Sequence, residues 1–252
     1  MQQIEQALDT IASTNNIEIL YACETGSRAW GFPSPDSDYD VRFIYRHPKN
    51  WYLNLGTPKD YVESMQGELD ITGWDLKKSL HLLKKSNASL IERFQSPIVY
   101  AANEAFANDF KQLISAYYSP TAVFYHHYQL AENFWMDIKD ASDIKLKSYC
   151  YLVRSLLSCN WIVKDSSVLP MHIEGLMELT TGQNTRILRD VIKLKATVGE
   201  KYLHKQEDDL RNLITDLFEL IDPVKHTLGI NDKDYTLLNT FFLQTLNADA
   251  NY

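Results

Sequence analysis

The chain has 252 residues, 45% of them hydrophobic and 23% charged, with a formal net charge of −8. That length buries a substantial core in one large or two modest domains, and the composition excludes a largely disordered chain. The acidic balance argues against a surface that grips nucleic acid on all sides, although a local basic groove is compatible with it. No apolar run reaches membrane-spanning length, and Met1-Gln2-Gln3-Ile4-Glu5 lacks the charged-then-apolar plan of a secretion signal. A cytoplasmic protein without a membrane partner is expected. Cys23, Cys150 and Cys159 are too far apart for a disulfide framework or a Cys-x-x-Cys metal knuckle, so buried thiols are expected.

In chain order, Ile4, Ala7, Leu8 and Ile11 recur at helical spacing, which predicts an amphipathic helix ending near Asn15-Asn16. Residues 17–23 are apolar enough for a buried strand. Gly26-Ser27-Arg28-Ala29-Trp30-Gly31 therefore falls where a strand hands over to a short helix, and backbone N–H groups at such a start attract anions. After the turn Pro33-Ser34-Pro35-Asp36, residues 39–44 read as a second strand. Alternation puts Asp38, Asp40 and Arg42 on one face, with Tyr39, Val41 and Phe43 on the other. Trp51-Tyr52-Leu53-Asn54-Leu55 reads as a short helix or flap, and residues 60–64 and 68–72 as a hairpin about Gln66-Gly67. In the second hairpin strand Leu69 and Ile71 alternate with Glu68, Asp70 and Thr72, so Asp70 takes a polar face. A helix follows Asp75, a short one surrounds Leu90 and Phe94, and residues 98–100 form a last strand.

Beyond residue 104 the pattern changes to three- and four-residue spacing. Helices are predicted through Phe110 and Ile114, from Val123 to Ile138, and over 145–164, 187–194, 208–221 and 235–246. The fold class is therefore α+β. A mixed sheet flanked by helices is expected over 1–104, and an all-helical bundle over 105–252.

Two carboxylates side by side repel unless a cation lies between them, and hard oxygen ligands favour Mg²⁺ or Mn²⁺. Asp38 and Asp40, a dozen residues after an anion-binding Gly-Ser turn, form the equipment for metal-dependent transfer of a nucleoside monophosphate. Asp70 is the expected third acid. Its rivals are Asp75, which is also a natural helix N-cap, and Glu68 at the hairpin edge. Ser27 is expected to donate to phosphate, and Arg28 to brace the loop, pair with an acid or contact phosphate. Arg42 is either a phosphate contact or a partner for an acid.

These residues resemble a known family. Gly26 to Gly31, then Ser37-Asp38-Tyr39-Asp40-Val41-Arg42-Phe43, then Asp70-Ile71-Thr72-Gly73-Trp74-Asp75-Leu76-Lys77-Lys78 are similar to nucleotidyltransferases of the DNA polymerase β superfamily. More narrowly, they resemble the RNA repair pathway DNA polymerase beta family. The resemblance extends through Lys147-Ser148-Tyr149-Cys150-Tyr151-Leu152-Val153-Arg154 and covers most of residues 17–165. It implies an α/β palm, two Mg²⁺ (or Mn²⁺) ions, a nucleoside triphosphate such as ATP, and Asp38, Asp40 and Asp70 as catalytic and metal-binding acids. It adds Ser37 and Lys78 to the nucleotide-binding set of Gly26, Ser27, Arg28 and Arg42. Glu24 departs from the family pattern by placing a charge just ahead of Gly26-Ser27.

On the helix over 145–164, Lys147, Tyr151 and Arg154 share a narrow sector away from Tyr149, Val153 and Leu156. An ammonium, a ring and a guanidinium on one face would hold a nucleobase and its phosphates, or form a plain solvated face. His127 falls on an apolar stripe and reads as a core histidine rather than a metal ligand. The acceptor stays open between an RNA end, a small hydroxylated molecule such as an aminoglycoside, and a protein side chain. The competing class is a catalytically silent, antitoxin-like binding module.

Overall fold

The computed structural model describes residues 1–56, 58–222 and 233–247. The chain divides into two compact units, each discontinuous in sequence. The first gathers residues 1–26, 38–118 and the segment that carries the last helix, and the second gathers 27–37 and 119–222.

The first unit is built on a five-stranded sheet. Its strands are β1 (Glu18–Glu24), β2 (Tyr39–Arg46), β3 (Tyr61–Gln66), β4 (Leu69–Asp75) and β5 (Val99–Ala102), in the order β3-β4-β2-β1-β5. Only the central β2–β4 pair is parallel. The helix α1 (Gln2–Asn15) buries Ile4, Leu8 and Ile11 against one face, and stops where Asn16 takes a left-handed conformation with φ 49°. Val41, Phe43 and Tyr45 of β2 and Ile71 of β4 point into that same core, as strand alternation requires. A short 3₁₀ turn, Lys49–Leu53, follows β2.

The opposite face carries Asp40, Arg42 and Ile44 on β2 beside Asp70, Thr72 and Trp74 on β4. Here α3 (Leu76–Lys84), α4 (Ala88–Arg93), α5 (Glu104–Tyr117) and α11 (Thr236–Asn247) supply the apolar cover. Tyr21 stacks on Phe94 at 4.6 Å between ring centroids, Phe94 on Phe110 at 4.4 Å, and Phe241 of α11 packs against Phe106 and Phe110. The buried Arg93 guanidinium lies 3.5 Å from the centroid of Trp74. The face is thus apolar towards Ile44 and Trp74 and polar towards Asp40 and Asp70. The polar end is where the candidate site lies.

The second unit is mostly helical. It contains α2 (Gly26–Trp30) from Ser27 onward, α6 (Pro120–Ile138), α7 (Leu146–Lys164), α8 (Ile173–Met177), α9 (Gly182–Lys195) and α10 (Asp208–Ile221). The helix α7 runs through its centre, burying Tyr149, Cys150, Leu152, Val153, Leu156 and Leu157 together with Arg154 and Asn160. All three cysteines are buried free thiols. Among the described residues no helix is long and apolar enough to cross a membrane.

The α+β plan holds, and three details differ from expectation. A boundary at 104/105 does not separate the two units, because α5 packs on the sheet through Phe106 and Phe110 and α11 returns to join it. The helical region is not purely helical, since β6 (Asp143–Lys145) pairs antiparallel with β7 (Leu203–Lys205). Strands of three residues are too short to display a period. The expected helix at 187–194 starts earlier, at Gly182, which has φ 63°.

Candidate active site

Asp40 and Asp70 occupy facing register positions on the parallel pair β2–β4. Neighbouring strands lie about 4.8 Å apart, so two ionised carboxylates there repel strongly unless a cation intervenes. The cation is Arg42, two residues along β2 and therefore on the same face. One guanidinium nitrogen donates to Asp40 Oδ1 at 3.0 Å and to Asp70 Oδ2 at 2.7 Å, and the other donates to the Asp70 carbonyl at 2.9 Å. The carboxylates keep about a third of their side-chain exposure, 30% and 31%. Asp38 is exposed and precedes β2 by one residue instead of lying within the strand.

Gly26 closes the acid site from below. It has φ +62°, and a Cβ there would lie 2.0 Å from Asp40 Oδ2. Only glycine permits both that backbone conformation and that approach. Glu24, the charge that departs from the family pattern ahead of Gly26-Ser27, is fully buried and structural. Its Oε1 accepts the backbone N–H of Asp40 at 2.9 Å and its Oε2 the Tyr100 hydroxyl at 2.5 Å, which pins β2 where Asp40 begins to face out.

The chain leaves the first unit at Gly26–Ser27 and re-enters it at Ser37–Asp38. The intervening segment belongs to a polar cluster of the second unit. The Ser37 hydroxyl donates to Glu200 Oε1 at 2.6 Å and accepts from the Ser34 N–H at 2.9 Å and the Ser27 hydroxyl at 3.1 Å. Arg28 donates to the Ser37 carbonyl at 2.6 Å. Lys195, 1% exposed, donates to Ser34 Oγ at 2.8 Å and to Glu200 Oε1 at 3.2 Å, while Lys147 pairs with Glu200 Oε2 at 2.9 Å. Burial alone would raise the Glu200 pKa, but the Ser37 hydroxyl and the two ammonium groups outweigh it and bring it down to about 2.

The α7 sector exists, but α2 fills it. Tyr151 meets Trp30 edge-to-face at 5.1 Å, and the Arg154 guanidinium, with only 3% of the residue exposed, lies 4.3 Å from the Trp30 ring centroid and donates to the Met171 carbonyl. Gly31 allows the chain to turn away from this cluster. It has φ +89°, and the His172 ring occupies the space a Cβ would take. Lys78 is distant from the acids. Five residues of strand, about 16 Å, separate Asp70 from Asp75, and Lys78 beyond it pairs with Asp60 at 2.8 Å.

Asp75 is the N-cap of α3, accepting the Lys77 N–H at 2.8 Å and the Tyr52 hydroxyl at 2.7 Å, and Glu68 is exposed in the β3–β4 turn. Of the three candidates for a third acid, Asp70 alone faces Asp40. His127 is buried in α6, and burial holds its imidazole well below the usual pKa. Sequence reasoning missed Glu200 and Lys195. Their serine partners, Ser34 and Ser37, lie more than 160 residues away, and neither belongs to a spacing pattern.

Among the described residues no group of three or more His, Cys, Asp or Glu side chains gathers as a metal site. The donor chemistry nevertheless fits a divalent ion, because Asp40 and Asp70 offer hard carboxylate oxygens and already share one cation. That shared cation is the Arg42 guanidinium, so an ion held by both acids replaces it.

A mixed sheet carrying paired acids on its central strands, beside a Gly-Ser turn, defines the chain as nucleotidyltransferase-like. It belongs to the RNA repair pathway DNA polymerase beta family, whose model matches residues 1–244. The match extends well past the 17–165 stretch on which the resemblance rested. The uncharacterized protein YcgL of Bacillus subtilis (strain 168) is 36% identical over 249 residues, which span 97% of this chain and 96% of that protein. A crystal structure of a nucleotidyltransferase-like protein from Exiguobacterium sibiricum 255-15 aligns with 97% of this chain and 80% of its own. Its sequence identity is 12% and its TM-score 0.28, too low to bear on fold or function.

Proposed function

We propose that the protein transfers a nucleoside monophosphate from a nucleoside triphosphate to an acceptor hydroxyl, releasing pyrophosphate. The observation that carries this reading is the Asp40–Asp70 pair, in register on parallel strands and sharing one cation. Asp38, Asp40 and Asp70 would hold divalent ions, which when bound supply charge neutralisation at the triphosphate and lower the pKa of the acceptor hydroxyl. Asp70 takes the acceptor proton, and Arg42 serves as the counter-ion of Asp40 and Asp70 when no metal is present. The Gly26–Ser27 turn, Arg28, Ser37 and Lys147 receive the phosphates. Lys78 is left out, because its ion pair with Asp60 lies beyond the far end of β4. An RNA end is the acceptor favoured by the family's description.

The test is incubation with each labelled nucleoside triphosphate, Mg²⁺ or Mn²⁺, and a panel of RNA ends, small hydroxylated molecules and cell protein. Label is expected on an RNA end. Asp38→Ala and Asp40→Ala should each lower transfer by about a hundredfold or more, and Asp70→Asn should abolish transfer while sparing most triphosphate binding. Label going only to a small molecule or a protein overturns the RNA acceptor. No triphosphate binding and no transfer by the wild type overturns the enzyme reading in favour of a silent binding module.

A further inference from the structure

The Glu200 carboxylate is the point on which three donors converge. The Ser37 hydroxyl reaches it at 2.6 Å, the Lys147 ammonium at 2.9 Å and the Lys195 ammonium at 3.2 Å. Two ammonium groups and a serine hydroxyl around one oxyanion are what a phosphate group requires. Lys195 is buried to 1% exposure and anchored on Ser34, whereas Lys147 is 43% exposed at the rim, so the cluster has a deep end and an open end. A second acid, Asp36, stands beside the cluster with its carboxylate engaged by the Glu200 backbone N–H at 2.9 Å.

The protons show what the carboxylate does to the serines. A hydroxyl has one proton, and an ionised carboxylate only accepts. Ser37 gives its proton to Glu200, so the contact between Ser27 and Ser37 must run from the Ser27 hydroxyl to Ser37 Oγ. The Ser27 proton is therefore committed to Ser37 and is not available to a phosphate oxygen. While Glu200 sits there, the proposed phosphate serine is turned the wrong way. Once Glu200 withdraws, Ser37 can donate to Ser27, Ser27 can donate to a ligand, and Lys147 and Lys195 lose the carboxylate they share.

We infer that Lys147, Lys195 and Ser37 form a binding site for a phosphate group of a polyphosphate chain, and that the Glu200 side chain occupies it as an internal stand-in that the ligand must displace. The inference rests on the triphosphate reading only for the identity of the ligand. The anion site itself is a property of the second unit. Glu200 follows Gly199 in the turn after α9, and with the side chain 19% exposed, rotation carries the carboxylate outward without unpacking a helix.

The experiment measures sodium tripolyphosphate and ATP binding by calorimetry to the full chain, comparing wild type with Glu200→Gln. The neutral amide keeps the size of the side chain but removes its charge. Affinity for both ligands should rise on the order of tenfold, about the effect of one charge-assisted hydrogen bond, and ligand should raise the melting temperature of the variant more than that of the wild type. Glu200→Asp keeps the charge but withdraws the carboxylate by one methylene, and should fall between the two. It serves as the readout if the glutamine variant does not fold. Adding Lys147→Met to Glu200→Gln should cancel most of the gain. Equal or weaker binding by the folded variants overturns the inference and makes Glu200 a fixed structural partner of Ser37. Tighter tripolyphosphate binding without label transfer by any form keeps the anion site and overturns the nucleotidyl-transfer reading. Transfer by wild type without a gain in Glu200→Gln does the reverse.

Discussion

At the scale of single residues, the acid site depends on a glycine as much as on its acids. Gly26 lies in left-handed backbone directly against Asp40, and Asp40 cannot retreat, because Glu24 holds its N–H and Arg42 its carboxylate. Gly26→Ala therefore imposes both a strained φ and a clash, and should cost about 1–3 kcal/mol. The loss falls on the acid site itself, so labelled transfer should drop with the melting temperature. A variant that melts like wild type and transfers at the same rate would show that the Asp40 carboxylate moves aside freely. Gly26, Asp40 and Asp70 were legible in the sequence because turn chemistry and strand alternation are local rules. Glu24, Lys195 and Glu200 were not, since a buried charge reveals its purpose only through partners brought to it by the fold.

Elements were legible in proportion to their length and caps. The helix α1 and the hairpin β3–β4 carry clear periods, and α3 announces itself by Asp75, whose carboxylate caps it and accepts from Tyr52. The ribbon β6–β7 is too short to announce anything. Asp75 also competes for the role of third acid, and the element it belongs to decides between the two roles. Burial pushes its pKa up despite the hydrogen bonds from Tyr52 and the α3 backbone, so its charge is not well tolerated there. Asp75→Asn keeps an oxygen for the cap and removes the charge, and should change stability by less than about 0.5 kcal/mol. Asp75→Ala removes the cap and strands the Tyr52 hydroxyl, at a cost of about 1–2 kcal/mol. Both should retain nucleotidyl transfer, measured beside Asp70→Asn. Loss of transfer in a fully folded Asp75→Asn would move the third acid to the end of β4.

At the scale of the whole molecule, the pattern change at residue 104 marks where helices begin, not where one unit ends. Helical periodicity identifies the apolar face of α5 without saying which core receives it. That face joins the sheet, with Phe110 stacked on Phe94 and Phe241 of α11 closing over Phe106 and Phe110. The physical consequence concerns where the chain can be cut. A fragment of residues 1–104 loses the aromatic layer over Tyr21 and Phe94, and one of residues 1–118 restores α5 but still lacks Phe241. Truncating a buried Phe alone costs about 3–5 kcal/mol, a large share of the roughly 5–15 kcal/mol that holds a domain folded. Both fragments should therefore melt without a cooperative transition and bind a hydrophobic dye, whereas the full chain should melt sharply and bind little. Both fragments also carry residues 27–37, whose partners Tyr151, Lys195 and Glu200 all lie beyond their ends. A cooperative melt of residues 1–104 close to that of the intact protein would put the boundary back at 104 and make α5 and α11 additions to a core already complete.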